Sequence, residues 1–138
     1  MHHPRPTPGP SIILRAALAY FGIVFAFAFG LGLVRTLLLA PMIGETAAVM
    51  LELPLVLTIS WLSAGHVLRR WRLTHAKTGF RLAVGGLAFV FLILAEYLLA
   101  SALGQSGAAW AASLMTPLGM VGLAGQVMFA LIPLARTR

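Results

Sequence analysis

Four apolar runs, separated by short polar interruptions, set the rhythm of this chain, at residues 13–40, 46–68, 81–103 and 109–134. An α-helix rises about 1.5 Å per residue and a bilayer's hydrocarbon core is about 30 Å thick, so runs of this length are read as membrane spans. The pattern predicts an all-α polytopic membrane protein, with four transmembrane helices in an up-down bundle over residues 11–138. Before them, MHHPRPTPGP over residues 1–10 is too rich in proline for regular structure and reads as a tail. The first run resembles the apolar part of a signal peptide but is too long for one, so it is expected to stay as an anchor.

Composition sharpens this picture. The chain is 60% hydrophobic and only 9% charged, with a mean hydropathy of +0.96. An ordinary soluble domain carries about a quarter charged residues. There is no cysteine, which rules out disulfides, thiolate metal sites and cysteine nucleophiles. Nine of the ten basic residues are arginine, beside heavy use of Ala, Leu and Gly, a bias typical of GC-rich bacterial genomes.

The net charge of +7 is explained by topology rather than by nucleic acid. Basic residues concentrate on the cytoplasmic flanks of membrane spans, and no basic helix face with exposed aromatics is left over. With four spans, Arg5, Arg15, Arg69, Arg70, Arg72, Lys77, Arg81, Arg136 and Arg138 fall on one side and only Arg35 on the other. Both termini are therefore expected in the cytoplasm, with the chain in a bacterial inner membrane.

The most informative stretch is residues 44–72, GETAAVMLELPLVLTISWLSAGHVLRRWR, which places Glu52 two residues before Pro54 inside a span. An ionisable group at membrane depth is expensive and normally faces a partner within the bundle. From helical rise, Glu52 and Glu96 both lie about 10 Å below the outer surface, and Arg35 falls near the same level. Glu45 sits above them. One arginine, always protonated, cannot neutralise two carboxylates. The deficit calls for a proton on one of them or for a cation beside them. A simpler reading is equally open: intramembrane polar contacts clip helices together.

Other polar positions are secondary candidates. Glu45, Glu52, Val56, Ile59, Ser63, His66 and Arg70 lie within about 40° of one line on the second helix. Pro54 removes a backbone hydrogen bond there, and Thr58 or a neighbouring helix is expected to serve the freed carbonyl. Tyr97 follows Glu96, and Gln126 shares a face with Gly122 and Gly119. Small residues mark packing surfaces: Gly22, Ala26 and Gly30 form a ridge nearly opposite Arg35, and Gly119, Gly122 and Gly125 space the fourth span.

Catalysis finds little support. Ser63 and His66 have no nearby acid to orient the imidazole, and paired carboxylates of glycosidase type would need a sugar cleft. His66 lies about 21 Å along its helix from Glu52, so the two cannot share a metal. A free amino terminus followed by His2 and His3 can chelate copper(II) or nickel(II), but a solvated tail is the plainer reading. No cofactor or metal is expected.

The segment with Arg35, Pro41, Gly44-Glu45 and Leu51-Glu52-Leu53-Pro54 resembles a pattern in small four-span bacterial inner-membrane proteins that carry no assigned activity. In size, helix number and possession of a membrane-embedded glutamate, the chain is also similar to small multidrug-resistance exporters. It departs from them in its first helix, which has Arg35 where theirs carries the key glutamate. The leading expectation is a non-catalytic accessory or interaction module with a buried Arg/Glu cluster, partnered by the bilayer and by a second copy or a larger membrane complex. The alternative is a small homodimeric proton-coupled transporter or channel that uses the embedded glutamates.

Overall fold

The computed structural model describes residues 7–136, and they are all helix and connection. The elements are α1 (Pro10–Val34), a π-helical segment (Arg35–Leu39), α2 (Ala40–Ile43), α3 (Glu45–Arg70), α4 (Thr78–Ala102), α5 (Gly107–Ser113) and α6 (Pro117–Ala135). Four stretches are long and apolar enough to cross a membrane: Pro10–Ile43, Glu45–Arg70, Thr78–Ala102 and Pro117–Ala135. The tail histidines His2 and His3 lie outside the described residues.

The first helix does not stop before Pro41. It widens into the π-segment, where the N–H of Ala40 reaches back to the carbonyl of Arg35. That wider turn accommodates a proline that has no N–H and would crowd the carbonyl one α-turn behind it. The helix runs on to Ile43 and is turned by Gly44 alone, at φ +88°, a left-handed value that glycine adopts without penalty.

The fourth span is shorter than the apolar run suggests. Residues 109–134 form two helices, because Thr116 precedes Pro117 and takes an extended backbone (ψ 155°). A proline disfavours α-helical geometry in the residue before it. Thr116 then caps α6, accepting from the N–H of Gly119 at 3.0 Å, while Ser106 caps α5 by accepting from Ala109 at 3.1 Å.

α3 and α4 end in the same way. The N–H of Leu73 reaches the carbonyl of Leu68, and that of Gln105 reaches Ala100, each spanning five residues. In both, the residue after the cap has positive φ: Gly104 at +90° and Arg72 at +57°. Glycine is the usual occupant of this Schellman position. An L-residue with a side chain costs about 1 kcal/mol more there.

α1 and α6 each pack against both α3 and α4. The shared core draws Ala16, Ala17, Tyr20 and Val24 from α1, Val67 and Leu68 from α3, Val84, Ala88 and Leu92 from α4, and Phe129 from α6, with Leu73 of the hinge beneath. Large apolar side chains such as Leu37, Leu62 and Leu98 point outward, where lipid tails would meet them.

The small residues do different work from the one their spacing suggests. Gly22, Ala26 and Gly30 are exposed, and a Cβ on Gly22 or Gly30 would meet nothing within 4 Å. No helix of this chain uses that ridge, because α1 turns its opposite face, Ala16 to Val24, inward. Close approach happens at Gly85, whose absent Cβ would collide with the carbonyl oxygen of Ala130, and at Gly125, where it would sit 2.5 Å from Leu53. Gly119 serves the cap of α6, since its Cβ would strike Ser113 and Thr116, and Gly122 has open space above it.

Pro133 explains a central contact. Lacking an N–H, it leaves the carbonyl of Phe129 without its helical donor. The hydroxyl of Tyr20 supplies one at 2.6 Å, buried. The two rings also stack, 4.4 Å apart and 8° from parallel. Pro54 is handled differently: Thr58 donates to the carbonyl of Pro54 itself at 2.7 Å, not to the carbonyl that Pro54 frees. Its side chain reaches its own preceding turn more easily than two turns back.

Two measurements check this packing. Gly85→Ala is expected to lower the thermal midpoint in detergent, by about 1–3 kcal/mol of overpacking, whereas Gly86→Ala, which meets open space, leaves it unchanged. Tyr20→Phe is expected to cost about 1 kcal/mol. In a Pro133→Ala background, where an N–H returns to the Phe129 carbonyl, a double-mutant cycle should show most of that cost gone.

Candidate functional site

The sequence places Arg35 at the π-segment, Glu52 two turns into α3, Glu96 in the last two turns of α4 and Gln126 midway along α6. The fold turns all four toward one interhelical cavity of about 160 Å³. Its walls are apolar, from Val24, Leu53, Val56, Leu92 and Phe129 among others, with Gly122 and Gly125 opening the α6 side. Apolar walls with a few convergent polar groups are the usual character of a ligand pocket.

The polar groups pair off. Arg35 Nη1 lies 3.0 Å from Glu52 Oε2. The side chains are 32% and 14% exposed respectively, so the guanidinium lies toward the open edge and the carboxylate inside. At that distance the pair is a close ion pair across the mouth of the cavity. On the other side, Gln126 Nε2 donates to Glu96 Oε1 at 2.6 Å. That bond fixes the amide's orientation and leaves Gln126 Oε1 buried with no hydrogen-bond donor among the described residues.

The outcome is asymmetric. Glu52 has a cation and Glu96 has only an amide. An amide N–H offers a partial charge, which eases burial of a carboxylate but does not neutralise it. The cavity thus holds one base against two acids, with an unspent acceptor oxygen on Gln126. It is short of donors and of positive charge.

The remaining candidates lie elsewhere. Glu45 is exposed in the first turn of α3, where a carboxylate favours the helix dipole. Tyr97 faces outward and meets Trp110 edge-on at 5.4 Å. Ser63, buried, and His66, exposed, line a separate shallow groove with Ile23, Phe27, Ile59 and Leu62. The polar line along α3 is therefore divided: Glu52 and Val56 face the cavity, while Ile59, Ser63 and His66 open between α1 and α3. Among the described residues, no three His, Asp or Glu side chains gather as a metal site would need.

Sequence reasoning passes over Val24, Leu92 and Phe129, which look like ordinary span residues. The one local signal for Phe129 is Pro133 four residues later, which marks its carbonyl as needing an outside donor. No protein-family model, curated protein or solved structure matches the chain.

The asymmetry predicts unequal mutational costs. Arg35→Gln, which strips Glu52 of its counter-charge, is expected to lower the detergent unfolding midpoint more than Glu96→Gln. The double variant Arg35→Gln/Glu52→Gln should recover most of the loss, with a coupling of about 1–3 kcal/mol.

Proposed function

We propose that this chain is a non-catalytic, multi-pass protein of the bacterial inner membrane that binds a proton or small cation in its interhelical cavity and works as a small carrier or channel. In this reading the four spans run up and down, and the concentration of basic residues at one end supports cytoplasmic termini. One observation carries the functional reading: Glu96 lines the cavity half-buried beside an amide while the cluster's arginine goes to Glu52. Intramembrane carboxylates lacking a protein counter-charge characteristically mark ion and proton pathways. Glu96, rather than Glu52, is the coupling residue in this reading.

A second reading has its own support. The Gly22, Ala26 and Gly30 ridge lies on the outside with open space over its glycines, as it would if the protein served as an accessory module docking another membrane helix, a second copy included. In that case the polar pairs serve only to hold the bundle.

The two separate in reconstituted liposomes. With a pH-sensitive dye inside, an imposed cation gradient is expected to drive proton movement through the wild-type chain and not through Glu96→Gln. Equal signals from wild type, Glu96→Gln and empty liposomes would reject the carrier. A stoichiometric membrane partner recovered on native purification, and lost when Gly22 and Gly30 are both changed to Leu, would favour docking.

A further inference from the structure

At the end of the bundle away from the acids, the hinge between α3 and α4 contains an arginine in a backbone position where glycine would be easier. Arg72 occupies the left-handed position after the α3 cap at φ +57°, while the chain places Gly104 at the equivalent position after α4. The turn itself does not need a side chain there. An observed strain of this kind is a pointer to function rather than to folding.

The side chain borders a concavity of about 480 Å³, formed with Thr7, Ile12, Trp71, Leu73 and Ala76. One part of this wall is apolar and belongs to the core side of α1 and the hinge. The other part carries Arg72; nearby in sequence are Arg70, whose guanidinium lies 5.3 Å above the Trp71 ring, and the exposed Arg69 and Lys77. All three acidic side chains of the protein, Glu45, Glu52 and Glu96, belong to the other end. No carboxylate side chain is at hand to neutralise this one.

We propose that this hinge pocket binds the phosphate group of an anionic phospholipid, with Arg72 on the phosphate and the apolar wall of Ile12, Trp71 and Ala76 against the glycerol and upper acyl chain. A free phosphate would satisfy the arginine but leave the apolar wall unused, which favours the lipid. Interfacial position agrees, since tryptophan and arginine at the end of a span sit at headgroup depth, and basic pockets between helix ends are where anionic headgroups bind. This site is independent of the cavity around Glu96.

The full chain in nanodiscs tests it. Thermal midpoints are read in phosphatidylcholine alone, in phosphatidylcholine with phosphatidylglycerol, and in phosphatidylcholine with inorganic phosphate. The wild type is expected to gain several degrees from phosphatidylglycerol and nothing from inorganic phosphate. Arg72→Gly is expected to melt higher than wild type in phosphatidylcholine, because the strain is gone, yet to lose most of the phosphatidylglycerol gain. Arg72→Lys should retain at least half of it. An undiminished gain in Arg72→Gly would overturn the site, and an equal gain from inorganic phosphate would overturn its assignment to lipid. A lower midpoint for Arg72→Gly in phosphatidylcholine would overturn the strain argument on which the proposal stands.

Discussion

Inside hydrocarbon a polar group must find its partner within the protein, and that constraint organises this bundle. Pro133 frees a carbonyl, and Tyr20 comes from another helix to meet it. Ser60 and Thr58 turn their hydroxyls onto carbonyls one turn back in their own helix. At the α6 end, Arg81 Nη1 donates to the carbonyl of Leu134 at 2.9 Å. The contacts between helices, Tyr20 to Phe129 and Arg81 to Leu134, fix helix pairs in rotation and register, which apolar packing against lipid-like neighbours does only weakly.

The cavity is where this partnering is left incomplete. Two acids, one base and one amide cannot pair without remainder, and the remainder falls on Glu96 and on the buried oxygen of Gln126. A bundle serving only as a hydrophobic anchor would be easier to build with leucine at these positions, since replacing buried ionic groups by apolar ones is often neutral or stabilising. The geometry also separates two roles that the residue types alone leave equivalent. Glu52 is paired with Arg35, whereas Glu96 is half-buried beside the amide of Gln126 and outside any ion pair among the described residues.

The two ends of the molecule contrast. One end carries the acids and turns on single glycines, Gly44 and Gly104. The other gathers Arg69, Arg70, Arg72, Arg81 and Arg136, with Arg136 lying 5.1 Å over the Trp61 ring across Gly65, whose absent Cβ leaves room for the guanidinium. Arg72 and Gly104 perform the same backbone task at these opposite ends. Only the basic end places a long cation on it.

Much of this was legible in the residues. Four spans follow from run length and hydropathy, because bilayer thickness fixes how many apolar residues a helix needs. The neighbourhood of Arg35, Glu52 and Glu96 was approachable from helical rise, which converts residue number into depth, whereas Gln126 joins it only in the fold. Depth alone, however, does not say which acid meets the base; that depends on rotation and crossing of helices, and only the tertiary structure pairs Arg35 with Glu52 and Gln126 with Glu96. The same limit applies to small residues: Gly22, Ala26 and Gly30 satisfy the packing pattern but face outward, while Gly85 and Gly125 make the close approaches. Sequence spacing defines faces on an isolated helix. Which face is buried is decided by neighbours distant in the chain, whose contacts no local pattern encodes.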